Sequence, residues 1–205
     1  MNRFDQGLLR YLKLEHLEKI HSFKIGIGGA GGLGSNVAVI LARSGFNHFE
    51  ILDQDRIDPS NLNRQQYFLD EVGKVKVEIL KKRLLDINPE IRITIHQVHW
   101  TPETGDEYFS GCQFIIEAFD IAEWKFRFVE FYQTKAKFLV SGNGMAGLLE
   151  KKPLQLKKLG NVYMVGDFST DSAQGHPPMA PRVTACAAMM AEVVLDLSLL
   201  PFPNQ

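Results

Sequence analysis

The sequence of 205 residues predicts an α/β fold: a Rossmann-like, doubly wound, mostly parallel sheet with a C-terminal antiparallel extension. Short apolar runs alternate with longer segments of helical periodicity, and this alternation is typical of a parallel sheet covered by helices. A glycine-rich turn at 29–34 directly follows the first apolar run, and the acid Asp53 stands at the end of the second. Strand, glycine turn, helix, strand and acid in this order are typical of a nucleotide-binding unit.

The predicted strands are short apolar runs bounded by polar or turn-forming residues. In chain order they cover 23–28, 49–52, 91–98, 114–119 and 138–141. The run at 91–98 alternates apolar and polar residues, which favours a strand with one exposed face. The run at 114–119 is apolar almost throughout, which favours a buried central strand.

The predicted helices carry apolar residues three or four positions apart. In chain order they cover 6–21, 32–44, 70–86, 123–134 and 183–199. Asp70 is suited to cap the third of these helices, because aspartate is favoured at helix N-termini. That helix is expected to end before Asn88-Pro89, because proline cannot continue a helix.

The pattern changes after residue 147, so the sequence predicts one domain in three parts. These are an N-terminal helical segment 1–22, a nucleotide-binding core 23–147 and a C-terminal extension 148–205. The extension begins with apolar runs at 154–159 and 162–165, which predict an antiparallel hairpin around Gly160-Asn161. The stretch 167–182 holds Gly, Ser, Thr and three prolines, so we expect a loop that crosses the sheet edge before the last helix.

Composition excludes two classes of partner. Lys and Arg number 23 and Asp and Glu number 24, so no net field attracts nucleic acid or an anionic membrane. No apolar stretch reaches the length that spans a bilayer, and the charged N-terminal residues Asp5 and Lys13 are unlike a signal peptide. Two cysteines without an export signal indicate a reducing compartment, so we expect a cytoplasmic protein.

The four glycines of the turn have separate predicted tasks. Gly29, Gly31 and Gly32 allow the tight turn and the close approach of a phosphate to the backbone. Gly34 lets the following helix pack closely on the strand, and the start of that helix offers free N–H groups to an anion. Asp53 can accept hydrogen bonds from a ribose, or it can cap a turn at the end of its strand.

The polar segment Ser60-Asn61-Leu62-Asn63-Arg64-Gln65 stands where a dehydrogenase would move on to its next helix. Arg64 is a planar fork of donors suited to phosphate oxygens, and Lys76 falls in the first turns of a predicted helix, within reach of a phosphate. Asp120 follows the strand at 114–119, at the edge where parallel sheets bind ligands, so it can hold a metal or cap the next helix. Asp55 either contacts the ribose or only orders the loop after the second strand.

Six motifs in this order resemble those of the ThiF/MoeB/HesA group of ubiquitin-activating-enzyme-like adenylyltransferases. They are 29–34, 52–55, 60–65, 72–76, 87–89 and 118–120. The segment 178–183 before the last helix resembles the short, ThiF-like branch. The resemblance implies ATP-dependent adenylation of the C-terminal glycine of a small ubiquitin-like sulfur carrier protein that ends in Gly-Gly, with release of pyrophosphate. It favours a ThiS-like carrier for thiamine thiazole biosynthesis, with a MoaD-like or other sulfur carrier as the alternative.

The resemblance also implies the residues of the site and its cofactors, ATP and Mg²⁺. Arg64, Lys76 and Asp120 would be catalytic, with Asp120 holding Mg²⁺. The residues expected to contact the nucleotide are Gly29, Gly31, Gly32, Gly34, Asp53, Asp55, Ser60, Asn61, Arg64, Gln65, Lys76, Asp120 and Ile121.

Three departures from the family pattern change details of this expectation. Only Cys112 and Cys186 are present, so the four thiolates of the family's structural zinc site are missing and no zinc is expected. Ile121 replaces the asparagine that usually follows Asp120. The resemblance implies a homodimer in which an N-terminal arginine reaches the partner's nucleotide, but Gln6 stands at that position here. Either Arg3 or Arg10 can take its place, with Arg10 favoured as part of a regular helix.

Two other function classes stay open on the sequence. An NAD-dependent Rossmann oxidoreductase would use the glycine turn and Asp53 equally well, but it leaves the segment 60–65 unexplained. A module that binds a nucleotide or a carrier without turnover is the second alternative. Cys186 is expected to be a buried structural thiol, because it lies in an apolar predicted helix.

Overall fold

The computed structural model describes residues 2–144, 152–170 and 176–200 of the chain. Its helices are α1 (Arg3–Leu8), α2 (Leu14–His21), α3 (Gly32–Arg43), α4 (Lys76–Ile87), α5 (Ala122–Tyr132) and α6 (Ala180–Leu199). Its strands are β1 (Ile25–Gly28), β2 (His48–Leu52), β3 (Arg92–His96), β4 (Phe114–Glu117), β5 (Phe138–Gly142), β6 (Gln155–Leu159) and β7 (Val162–Gly166). Among these residues, no helix is long and apolar enough to cross a membrane.

The strands form one seven-stranded sheet in the order β3-β2-β1-β4-β5-β7-β6. All neighbours are parallel except β6 and β7, which pair antiparallel as a hairpin at the end of the sheet. The predicted doubly wound fold with an antiparallel extension is therefore confirmed. The chain winds from β1 out to β3 and then returns to β4 on the other side of β1, so the strand order reverses between β1 and β4.

The register places the carboxyl ends of the neighbouring strands β2, β1 and β4 side by side. Gly28 at the end of β1 pairs with Leu52 of β2 on one side and with Glu117 of β4 on the other. The loops that leave these strands therefore start from one edge, at the reversal point where open parallel sheets bind their ligands.

Two different hydrophobic clusters cover the two faces of the sheet. On one face, mainly aliphatic side chains of α3, α4 and α6 pack on β1 and β2. On the other face, an aromatic cluster brings α5 together with the segment 98–112, and its centre is Trp100, Phe109, Phe128 and Tyr132. Because side chains alternate along a strand, Ile115 points into the aromatic cluster while its neighbours Phe114 and Ile116 point into the aliphatic one.

The single opening helix predicted over 6–21 is wrong. The structure has α1 and α2 instead, joined by a turn in which Tyr11 is exposed. Leu12 and Leu17 are five positions apart, which is about 140° around a helix axis, so one straight helix cannot bury both on one stripe. The chain turns between them, and Leu17 and Ile20 of α2 are buried.

The predicted cap at Asp70 is also wrong. Residues 69–71 form a short 3₁₀ turn, and α4 begins only at Lys76, after Val75. Gly73 adopts a φ of 85°, which lies outside the helical region and separates the turn from the helix. Lys76 is consequently the first residue of α4, in agreement with its predicted place in the first turns.

The remaining differences concern the ends of elements. The third strand covers Arg92–His96 rather than 91–98, because its partner β2 offers only five residues for pairing. The last helix starts at Ala180, three residues earlier than predicted, with Pro181 in its first turn, where proline is tolerated. Residues 171–175 of the predicted crossover and the boundary at 147 lie outside the described residues.

Candidate nucleotide-binding site

A cavity of about 730 Å³ opens at the carboxyl edge of the sheet, at the reversal between β1 and β4. Its wall comes from the turn after β1, the loops after β2, β3, β4 and β5, and the start of α6. This volume falls in the range of about 300–1,000 Å³ that small-molecule and cofactor sites occupy.

The glycine turn forms one side of the cavity. Gly29, Gly31 and Gly32 line it, and α3 starts behind Gly31, whose position provides no side-chain cap. Gly29 has a φ of 99°, and a Cβ there would lie 2.8 Å from the carbonyl oxygen of Ala118, so only glycine fits. Because no side chain caps the start of α3, its first N–H groups are available to an anion in the cavity.

Gly34 does not line the cavity. A Cβ at Gly34 would collide with the backbone of Gly29 and touch the methyl group of Ala118. Gly34 therefore has the predicted task of close packing between α3 and β1. Its neighbours in the turn, rather than Gly34 itself, are placed to contact a nucleotide.

Asp53 joins the glycine turn to the end of β2. One carboxylate oxygen accepts a hydrogen bond of 2.6 Å from the Ala30 N–H, and the other accepts one of 2.7 Å from the Asp55 N–H. Burial raises the pKa of Asp53, against the opposing effect of the nearby Lys76 charge. Asp53 also lines the cavity, so the turn-capping role and a ribose contact are compatible in one side chain.

Lys76 reaches the cavity from the first turn of α4. Its ammonium donates to Asp55 Oδ2 at 2.8 Å, and its side chain is 7% exposed while that of Asp55 is 54% exposed. The cation is therefore buried at the cavity wall, and its carboxylate partner stands in solvent.

The segment 58–65 is held in place by its own polar groups. Asp58 accepts hydrogen bonds from the N–H and the hydroxyl of Ser60, and Asn61 Oδ1 accepts one from the Asp58 N–H. Asn61 lines the cavity, whereas Ser60 does not. Ser60 therefore shapes the loop, and a nucleotide contact from its side chain would require a change of hydrogen bonds.

Arg64 and Gln65 stand over the glycine turn. Arg64 donates to the Ser60 carbonyl at 3.0 Å and to Asn63 Oδ1 at 2.8 Å, and its aliphatic stem lies against Gly32. Gln65 is buried with no hydrogen-bond partner for Oε1 among the described residues, and both side chains line the cavity. An unpaired buried amide oxygen costs stability, so a donor from a ligand would satisfy it.

Asp120 and Ile121 line the cavity at the carboxyl end of β4. Both side chains are exposed, and Ile121, not Asp120, is the residue that precedes α5. The helix-cap alternative for Asp120 is therefore wrong. No group of three metal-ligating side chains occurs among the described residues. A lone carboxylate nevertheless suits Mg²⁺, which keeps several waters and takes its other ligands from nucleotide phosphates.

Two ionic clusters at the other end of the cavity were missed by sequence reasoning. Glu117, at the end of β4, is fully buried and pairs with Lys125 of α5, which lines the cavity. A glutamate inside an apolar run was a usable signal, because a buried charge requires a partner. Nothing in the local sequence names that partner.

The second missed cluster is centred on Asp167, after β7. Asp167 accepts hydrogen bonds from Thr170, Ser169 and the Arg182 guanidinium, and Arg182 also donates to the Lys152 carbonyl. Burial alone would raise the pKa of Asp167, but these hydrogen bonds and the Arg182 charge hold it well below its ordinary value. The cluster fastens the end of β7 to the first turn of α6, on either side of the crossover segment.

Cys112 and Cys186 are both buried and unbridged, and burial raises the pKa of each thiol to about 12. Neither can act as a thiolate at neutral pH.

Arg10 lies in the turn between α1 and α2, so the reason for favouring it over Arg3, which begins α1, is removed.

The chain is similar to a known protein family over most of its length. The model of the ThiF family matches residues 5–194. The tRNA threonylcarbamoyladenosine dehydratase of Bacillus subtilis (strain 168) is 31% identical over 165 residues, 80% of this chain and 65% of that protein. Its Escherichia coli (strain K12) counterpart is 33% identical over 155 residues, 75% of this chain and 58% of that protein. The chain thus spans about three-fifths of the length of these relatives.

Two further similarities extend over most of the chain. The adenylyltransferase and sulfurtransferase uba4 of Aspergillus niger is 29% identical over 188 residues, 89% of this chain and 38% of that protein. The crystal structure of the E. coli tRNA N6-threonylcarbamoyladenosine dehydratase in complex with ATP superposes with a TM-score of 0.84 and 23% identity, covering 94% of this chain and 92% of that one. At this identity the superposition shows a shared fold.

Proposed function

The chain belongs to the ThiF family, and from that membership we propose that it is an ATP-dependent adenylyltransferase acting on a terminal carboxylate. The observation that carries the proposal is the convergence of the glycine turn, Arg64, Lys76 and Asp120 on one cavity. Both cysteines are buried, with raised pKa values, so the site is equipped to activate a carboxylate by charge rather than by a thiol nucleophile. The family match also leaves the oxidoreductase alternative without support.

The proposed reaction joins two anions. An oxygen of the substrate carboxylate forms a bond to the α-phosphorus of ATP, the bond from that phosphorus to the bridging oxygen breaks, and pyrophosphate leaves. The carboxylate is already ionised at neutral pH, so no base is needed. Arg64, Lys76 and the N–H groups at the start of α3 stabilise the negative charge that develops on the phosphates. Asp120 would hold Mg²⁺, which neutralises phosphate charge when bound.

The preferred substrate in this proposal is a ThiS-like sulfur carrier that ends in Gly-Gly. The resemblance to the short ThiF-like branch supports it, and so does the near balance of 23 basic and 24 acidic residues, which gives no overall attraction for a polyanion. Gly142 and Gly144 line the cavity together with Lys125 and Phe168. The two glycines carry no side chain and so leave room for an extended glycine tail beside Phe168.

A second candidate substrate is a threonylcarbamoyl group on tRNA. The names of two relatives at 31% and 33% identity favour it. The threonyl group carries a free carboxylate, and adenylation of that carboxylate would make it a leaving group for loss of water, so the chemistry at the cavity would be the same. The two candidates differ in the partner's surface, protein in one case and nucleic acid in the other.

The experiment is ATP–pyrophosphate exchange with three additions compared in parallel. They are a purified ThiS-like carrier, the same carrier without its terminal glycine, and tRNA bearing threonylcarbamoyladenosine. Exchange that requires the intact carrier supports the preferred substrate, and exchange that requires the tRNA supports the second. Exchange of equal rate without any addition, or no exchange with any of them, would contradict carboxylate adenylation. Light scattering in the same buffer tests the expected homodimer.

A further inference from the structure

A second lysine reaches the cavity from the face of the sheet opposite to Lys76. Lys125 is the fourth residue of α5, which packs in the aromatic cluster, whereas Lys76 starts α4, which packs in the aliphatic cluster. Both line the same cavity. The two ammonium groups therefore approach a ligand from two sides of the sheet edge.

Lys125 is held at the cavity by an anchored carboxylate. Its ammonium donates to Glu117 Oε1 at 2.8 Å and to Oε2 at 2.6 Å. Glu117 also accepts from the Phe119 N–H at 2.7 Å and from the Ser141 hydroxyl at 2.6 Å, and its side chain is fully buried. These contacts fix the carboxylate in the end of β4 and, through it, the position of the ammonium.

The ammonium retains capacity for a second anion. A lysine has three N–H donors, and the two hydrogen bonds that Lys125 makes among the described residues both go to Glu117. Its side chain is 19% exposed, on the cavity side. The Phe119 N–H and the Ser141 hydroxyl also hold Glu117, so the carboxylate stays in place while the remaining N–H of Lys125 is available to an anion in the cavity.

We propose that Lys125 binds the carboxylate of the substrate and positions it for attack on the α-phosphorus, an inference that rests on the proposed function. Arg64 lies against Gly32, and the Lys76 charge acts on Asp53, which holds the glycine turn. Lys125 is hydrogen-bonded instead to Glu117, which accepts from Ser141, the residue before Gly142. In the proposed function the phosphates bind beside the glycine turn and the carboxylate binds beside Lys125. A fixed cation there offsets the repulsion between the incoming carboxylate and the phosphates. The carboxylate stays ionised throughout, and no proton passes to or from Lys125.

The test separates carboxylate binding from the structural role of the ion pair. Lys125→Met leaves Glu117 without its cation, whereas the double substitution Glu117→Gln and Lys125→Met removes both charges. We expect both variants to raise the KM for the carrier at least tenfold and to keep the ATP dissociation constant within twofold, and we expect Lys125→Arg to recover most of the loss. Arg127→Met, which removes an exposed cation of the same helix, is the matched control.

The inference is overturned if the double variant has the same KM for the carrier as the unmodified protein, because Lys125 would then serve only to neutralise Glu117. A loss of ATP binding equal to the loss of carrier binding would overturn the inference as well.

Direct calorimetric binding of the carrier and of its C-terminal amide distinguishes failure of this inference from failure of the proposed function. The unmodified protein should prefer the carboxylate form, and Lys125→Met should not. A retained preference in Lys125→Met contradicts the inference. If the unmodified protein prefers the carboxylate form, Lys125→Met does not, and no pyrophosphate exchange occurs, then carboxylate binding by Lys125 is supported and adenylation is contradicted.

Discussion

Each of two lysines that line the cavity is paired with a carboxylate, and the two pairs are built in opposite ways. In the pair of Lys76 with Asp55, the cation is buried and the acid is 54% exposed. In the pair of Lys125 with Glu117, the acid is fully buried and the cation is 19% exposed. The N···O distances are similar, 2.8 Å and 2.6 Å, so contact geometry does not distinguish the pairs.

The difference in burial indicates which partner a ligand can replace. Asp55 is already exposed to water and stays solvated when it leaves Lys76, and a phosphate would supply the buried ammonium with a new negative partner, so the exchange costs little. Glu117 has no access to water and is held by two other groups, so Lys125 keeps its partner when a ligand arrives. In the proposed function, a phosphate replaces Asp55 beside Lys76, whereas Lys125 keeps Glu117 and serves as a fixed donor to the substrate carboxylate.

The largest expected effect comes from removing the charge of Lys76. Lys76→Met should lower the rate of carrier-dependent pyrophosphate exchange about 10²–10³-fold, because a fixed charge near the developing phosphate charge is lost. Lys74→Met, an exposed neighbour that does not line the cavity, should leave the rate unchanged. A Lys76→Met enzyme with more than a third of the original rate would contradict a phosphate-binding role.

Stability should separate the two pairs almost as strongly. Lys125→Met should lower the free energy of unfolding by about 3 kcal/mol, because it leaves Glu117 charged and buried. Asp55→Asn should cost about 1 kcal/mol, since an amide oxygen can still accept from Lys76 and the nearby Asp53 carboxylate remains beside that buried cation. Urea unfolding at neutral pH measures both. Equal losses would show that burial of the acid is not what distinguishes the pairs.

Two acids at the same sheet edge should affect different kinetic constants. Asp53→Ala should weaken ATP binding by about 10–100-fold, as expected for lost hydrogen bonds to a charged group, and should also loosen the glycine turn through Ala30 and Asp55. Asp120→Ala should mainly lower kcat, because a metal ligand acts where charge develops. ATP titration and saturation kinetics test the division of roles, which fails if both variants change the same constant.

A smaller effect is expected on the stability of the protein at low pH, to which the ion pair of Asp167 with Arg182 contributes. The pKa of Asp167 is lowered in the folded state, so its carboxylate stabilises the protein above its ordinary value of 3.8, and that stability is lost as the pH falls below it. Asp53 has the opposite sign, because burial raises its pKa and protonation favours the folded state. Between pH 6 and 3 (roughly the window in which these acids titrate), unfolding free energies should fall less steeply in Asp167→Asn than in the unmodified protein. They should fall more steeply in Asp53→Asn, and parallel curves for the two variants would contradict these assignments.

The smallest effect on activity is expected at the thiols. Cys186→Ser should keep pyrophosphate exchange within twofold, because adenylation requires no thiolate and the sulfur is buried against the Val165 carbonyl. A modest fall in melting temperature is expected from placing a hydroxyl in an apolar site. A folded but inactive Cys186→Ser protein would contradict the mechanism by charge alone.

Most of the fold followed from local patterns in the sequence. The alternation of apolar runs and helical segments predicted the parallel sheet, and the pair of apolar runs around Gly160-Asn161 predicted the terminal hairpin of β6 and β7. The two errors are the single helix predicted over 6–21 and the helix cap predicted at Asp70. Leu12 and Leu17 are five positions apart, which does not suit one helix, and Gly73, which follows Asp70, adopts a φ outside the helical region.

The candidate site divides in the same manner. Gly29, Gly31, Gly32 and Asp53 belong to one continuous strand–turn–helix–strand unit, so their spacing alone predicted their meeting at the cavity. The pairing of Glu117 with Lys125, and of Asp167 with Arg182, depends on how β4 and β7 lie beside their helices. A sequence states that a buried carboxylate needs a cation, because desolvation of an isolated charge is too costly. Only the packed structure decides which cation it is and which side of it remains open to a substrate.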